Sequence, residues 1–108
     1  MQGRFEFHGR LSRSDKRPAN PGSYHLQFQL HGQPKASQRD KLYWEEVLED
    51  VEVAPGGFYR VVLGQKTPIE TSVFSRGVRW MSVRVIRGGK LDEENNKRTP
   101  ILGHSLRL

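Results

Sequence analysis

Four histidines, His8, His25, His31 and His104, are the side chains in this 108-residue chain most obviously suited to metal or acid–base chemistry. His25 and His31 fall on one side of an alternating segment. Six residues at about 3.3 Å each set them roughly 20 Å apart, too far for one metal ion to bridge. The chain has no cysteine, which excludes disulfides, thiolate nucleophiles and thiolate metal sites. Nucleophilic catalysis by Ser or Thr needs a histidine base and an orienting acid. No Gly-x-Ser-x-Gly occurs, and nothing beyond single residues suggests that set. The acidic stretch Glu45, Glu46, Glu49, Asp50 and Glu52 would splay over both faces of a strand and reads as a solvated surface. Gly56-Gly57 and Gly88-Gly89 lack the Lys-Ser/Thr of a phosphate loop and read as turns. The expectation is a protein that is not an enzyme, with no catalytic residue, metal site or cofactor.

Binding chemistry is better represented. Eighteen Lys and Arg against twelve Asp and Glu give a net charge of +6, which favours acidic partners and also serves solubility. Arg10, Arg13, Lys16 and Arg17 form one basic cluster, and Lys35 and Arg39, with Lys41, stand in a second polar stretch. Brought together beside exposed Tyr43 or Trp80, these residues would hold a nucleic acid or other polyanion by phosphate contacts and stacking. No aromatic RNA-binding signature accompanies them. Trp80 and Arg84 alternate on the face of their segment opposite its apolar side. With Tyr43 they make a candidate protein-binding or self-association surface, since Trp, Tyr and Arg are the residues enriched at contact centres. A loop folded over that face and hiding the tryptophan is the competing reading.

The elements that must position these residues are strands. Tyr24, Leu26, Phe28 and Leu30 alternate with His25, Gln27, Gln29 and His31, the mark of a half-buried strand with one wet face. Residues 4–11 form a first strand interrupted by Gly9, and 42–47 a third, where aromatic density favours strand over a short helix. Runs at 51–53 and 58–63 flank Pro55-Gly56-Gly57 as a hairpin, with Tyr59, Val61 and Leu63 inward and Arg60 outward. Residues 64–77 make a long connection; 78–86 is a strong strand with Met81, Val83 and Val85 inside. A polar loop tip at 88–96 and a last strand within 97–108 complete the chain. Six or seven short strands in one domain spanning 1–108 predict an all-β antiparallel sandwich, Ig-like or prealbumin-like, with few helices.

The order of these pieces resembles a bacterial β-sandwich module found at the N-terminal side of surface, fibre-like or tail-like proteins. The residues that carry the likeness are Gly9-Arg10-Leu11, Gly22 to Leu30, Trp44-Glu45, Gly57 to Gly64 with Thr67-Pro68, Trp80 to Val85, and Arg98 with Pro100-Ile101. The resemblance implies a structural or assembly role with a protein partner or homo-oligomer, and an extracellular or surface location where a signal peptide has been removed. It names no functional residues. The chain as given shows no signal peptide, which implies the cytoplasm if it is complete, and no apolar run reaches the roughly 20 residues of a membrane span. Function is expected to be docking through an outer sheet face or edge strand, with polyanion binding as the alternative.

Overall fold

Nine strands make up the regular structure of the computed structural model, which describes residues 2–13, 15–36, 39–74, 78–87, 89–91 and 98–101. They are β1 (Gln2–Gly3), β2 (Phe5–Arg10), β3 (Gly22–His31), β4 (Leu42–Val53), β5 (Phe58–Leu63), β6 (Ile69–Glu70), β7 (Arg79–Arg87), β8 (Lys90–Leu91) and β9 (Thr99–Ile101). Every pairing is antiparallel, and the one helical element described is a 3-10 turn at Thr71–Phe74. The all-β, helix-poor reading is met. The expected long connection at 64–77 contains β6, which pairs with β1, and the loop tip at 88–96 holds β8. Of the expected last strand, Thr99–Ile101 is seen, while Lys97 and residues 102–108, including His104, lie outside the described residues.

The largest sheet runs β4-β3-β7, with β8 and β9 both on the far edge of β7, at opposite ends of it. β3 is central because its alternation presents an unbroken apolar row. Leu26, Phe28 and Leu30 are all fully buried. β4 is one continuous strand of twelve residues rather than two runs. It stays in register by bulging twice. Tyr24 pairs with Val51 and Leu26 with Leu48, leaving Glu49 and Asp50 opposite His25 alone. Asp50 takes a left-handed φ of 55° there, and its amide donates to His25 Nδ1 at 3.3 Å. The second bulge, at Tyr43, lies between the pairs Leu30–Trp44 and His31–Leu42.

β2 and β5 form a separate ladder, Phe5 to Arg10 against Leu63 to Phe58. Its inner face meets the large sheet through rings. Phe7 and Tyr59 lie 6.2 and 6.1 Å from Phe28, at the tilted and edge-on angles that aromatic quadrupoles prefer. β2 runs unbroken through Gly9, which stands there because the Tyr59 phenol lies across it and a Cβ would overlap the ring. Burial pushes that phenol above its ordinary pKa, and it stays neutral. Gly57 is required twice over. Its φ is +84°, and a Cβ would run into the Leu11 carbonyl. Leu11 N donates to Gly57 O at 2.7 Å, tying the end of β2 to the turn before β5.

Two residues of the supposed wet face of β3 are buried. Gln27 is 8% and His31 6% exposed. Gln27 donates to Glu45 at 2.8 Å, and the segment after β3 covers His31, as described below. In urea titrations, Phe28→Ala is expected to cost about 3–5 kcal/mol. Gly57→Ala should cost about 1–3 kcal/mol from the left-handed φ alone. Gln27→Ala should lose about 1 kcal/mol rather than behave as a neutral surface change. An effect at Phe28 no larger than that at Gln27 would mean that the ring cluster is not the core.

Candidate functional site

The outer face of the five-stranded sheet brings together four residues scattered through the sequence. His31 on β3 and Ser82 on β7 share this face, with His31 Nε2 and Ser82 Oγ 2.8 Å apart. Gly32 N donates to Lys41 O at 3.0 Å, and Asp40 Oδ2 stands 3.2 Å from His31 Nδ1. Arg98, just ahead of β9, grips Asp40 with two hydrogen bonds of 3.1 and 3.0 Å and donates a third to Gln33 O at 2.9 Å. A carboxylate can only accept, so Nδ1 carries the ring proton; in the neutral imidazole Nε2 then accepts from the Ser82 hydroxyl. This is the connectivity of a Ser-His-Asp relay. Residues 31, 40 and 82, scattered through the sequence, are thus brought into contact by the fold.

Burial decides what the relay can do. Ser82 is 2% exposed and Arg98 4%, so the hydroxyl meets no solvent and the guanidinium is enclosed. Burial alone would raise the Asp40 pKa. The Arg98 hydrogen bonds, the charges of His31 and Arg98 and a bond from the Gln33 backbone outweigh it and hold the carboxyl below its usual range. The network fastens Asp40, and Arg98 just ahead of β9, to β3 and β7.

A second carboxylate was misread as solvated. Glu46 is 2% exposed and turns inward from β4 opposite Phe28. Its Oε1 accepts from the amides of Lys66 and Thr67 at 3.0 and 2.8 Å, and its Oε2 from Gly64 at 3.3 Å. Trp44 Nε1 donates to Thr67 O at 2.8 Å, so one strand clamps both polar sides of the turn after β5. Glu45, one residue along, points outward and accepts from both Gln27 and Gln29.

The residues expected to bind a partner are dispersed. Trp80 and Arg84 flank Ser82 on the outer face of β7 and are half-buried, with Trp80 in register between His31 and Pro100. Tyr43 does not join them. The Arg79 guanidinium lies 3.9 Å above its ring and Lys41 5.2 Å away, and Arg79 alternates with Trp80 along β7. The basic residues divide into two groups. Arg10, Arg13, Lys16 and Arg17 gather where β2 ends, on a short hairpin closed by Arg13 N to Arg17 O and the Ser12–Pro18 bridge. Ala19 N donates to Leu11 O, which anchors this hairpin at the start of β3. Lys35 and Arg39 follow the other end of β3, ten residues or about 30 Å away.

Reading for the tryptophan missed the most exposed aromatic side chain. Phe58 is 59% and Val62 40% exposed on the outer face of β5. Arg10 stands 5.9 Å over the Phe58 ring and donates to Gly56 O at 3.0 Å. Arg60 lies between the two apolar residues and pairs with Glu6 at 3.1 Å. The signal was in the alternation itself, since placing Tyr59, Val61 and Leu63 inward puts Phe58 and Val62 outside. Among the described residues no group of three His, Asp or Glu is placed to hold a metal. No described helix is long and apolar enough to cross a membrane.

Because the folded pKa of Asp40 is depressed, the stability it contributes is complete above its unfolded value near 3.8 and is lost as pH falls through the lower folded value. Unfolding free energy measured across the acid range should therefore drop below that value in the parent chain and drop less in Asp40→Asn. Parallel curves would show that Asp40 is not held by Arg98. Glu46→Ala, which strips acceptors from three amides, should cost about 2–4 kcal/mol.

No curated protein and no solved structure matches the chain. One family does, a domain of unknown function designated DUF8740, over residues 6–100, a span running from β2 into β9 and including both carboxylate clamps and the Phe58 face. The chain belongs to the DUF8740 family.

Proposed function

We propose that this chain is a non-catalytic interaction or assembly module. In this reading it is a sandwich, with the β2–β5 ladder laid over the five-stranded sheet, and it docks through the outer face of that ladder. The observation that carries it is Phe58, 59% exposed, with Val62 on the same face and Arg10 and Arg60 beside them. An aromatic anchor with arginine at its side is the composition of a contact centre. Trp80, Arg84 and Tyr43 are weaker anchors, each half-buried within the chain.

Two further observations support docking over chemistry and over edge pairing. A Ser82 hydroxyl enclosed in a strand has no path to a substrate, and Arg98 neutralises the carboxylate that a relay needs to stabilise an imidazolium. Among the described residues β4 pairs along one side only, with β3, and it is bulged near both ends, the device by which sheets discourage strand addition. The likeness to bacterial surface and fibre-like modules fits the same role. A second reading, polyanion binding, is favoured by the gathering of Arg10, Arg13, Lys16 and Arg17 at one end of this face.

Sedimentation over a range of protein concentrations, at low and high salt, separates the faces. Association through Phe58 and Val62 should persist at high salt, because buried apolar area is barely weakened by ionic strength. It should fail in Phe58→Ala combined with Val62→Ser and survive in Trp80→Ala. Association that follows Trp80 instead would move the docking face to the five-stranded sheet.

A further inference from the structure

We infer that the outer face of β2–β5, together with the 12–18 hairpin, is a binding site for single-stranded nucleic acid, with Phe58 as its stacking platform. The inference rests on the docking face assigned above and gives it a partner of stated chemistry. Charge is the first observation. The exposed side chains of β2, β5 and the hairpin include Arg10, Arg13, Lys16, Arg17 and Arg60, five cations against the carboxylates of Glu6 and Asp15, and Arg4 is exposed just ahead of β2. Glu45, Glu49, Asp50 and Glu52 belong to β4, in the other sheet. A local surplus of positive charge therefore adjoins the face that exposes Phe58, the most accessible aromatic ring.

The carboxylates present arrange cations rather than cancel them. Asp15 reaches Arg13 at 3.5 Å and Arg17 at 4.0 Å and accepts from the Arg17 amide at 3.0 Å, so it braces the hairpin. Lys16 sits at its tip with a left-handed φ of 68°, its side chain exposed. Glu6 holds Arg60 and His8 at 3.1 Å each. Arg10 is pinned by Gly56 O beside the Phe58 ring, which fixes one cation at the edge of the aromatic surface. An exposed ring next to a fixed cation suits an unpaired base and its phosphate, because every base offers a π-face and each phosphate a charge. A duplex keeps its bases stacked on one another and would leave Phe58 unused. An acidic protein would use the cations and need no flat ring.

The test is fluorescence anisotropy with a labelled oligo-dT, titrated at several salt concentrations, with heparin as a polyanion that has no bases. The parent chain should bind oligo-dT with an affinity that falls as salt rises, with a slope near −0.7 per phosphate neutralised. Changing Arg13, Lys16 and Arg17 to Ala should flatten that slope by about 2. Phe58→Ala should weaken oligo-dT about 5- to 100-fold while leaving the slope and heparin binding unchanged. Phe58 is largely exposed, so this variant keeps its fold, which circular dichroism verifies. Equal loss for heparin and oligo-dT, or none for either at Phe58, overturns the nucleic-acid site. Salt-resistant self-association lost with Phe58, in a chain that binds no oligonucleotide, overturns this inference and leaves the docking face standing. Neither association nor oligonucleotide binding overturns both.

Discussion

β3 is hydrogen-bonded on both edges, to β4 over its whole length and to β7 from His25 to His31, while its inner face is a continuous row of fully buried Leu26, Phe28 and Leu30. A strand placed so cannot slip. A shift of one residue against either neighbour would exchange the apolar row for Gln and His on the core side. The β2–β5 ladder depends on that row too, since Phe7 and Tyr59 meet the large sheet at Phe28. Fixing Phe28 fixes where the rings of the ladder meet the large sheet, on the side of β5 opposite Phe58 and Val62.

The fold buries several polar groups and gives each carboxylate among them a defined set of donors. Glu46 accepts three backbone amides from the turn after β5, and Asp40 accepts two bonds from Arg98 while His31 lies against it. An enclosed carboxylate is costly unless so compensated, and breaking one side of a buried ion pair is strongly destabilising. Both clamps join segments far apart in the chain: β4 to the 64–67 turn, and the 32–41 segment to Arg98. They act as polar staples in a chain without disulfides, holding Asp40 and the 64–67 turn to the strands beside them.

Alternation made the strands legible. Tyr24 to Leu30, Tyr59 to Leu63 and Met81 to Val85 each show their inward side in the sequence, and the Pro55-Gly56-Gly57 turn marks the hairpin. Two physical effects hid the rest. Bulges at Tyr43 and at Glu49–Asp50 break the period of β4, so it read as two runs, and the inward turn of Glu46 was lost among its acidic neighbours. A covering loop converts a wet face into a buried one without changing its period. His31 and Ser82 look solvated in any strand pattern, yet Asp40, gripped by Arg98, lies against His31 and both residues are buried. Pattern reports the backbone's faces; it does not report what lies on them.

The same distinction separates the buried Ser82–His31–Asp40 set from the exposed face of the ladder. Ser82, His31 and Asp40 have relay connectivity, yet their environment is that of a staple, because Arg98 holds the charge that a relay would use and the strand encloses the hydroxyl. Phe58 and the hairpin cations show the reverse. Their connectivity is slight, one cation–π contact and a few surface ion pairs of little worth to stability. An exposed phenylalanine contributes no more to folding than a polar residue would, and like charges crowded on one hairpin work against it. Under the proposed docking role, groups that stabilise so little and gather on one face act on what they meet outside the domain.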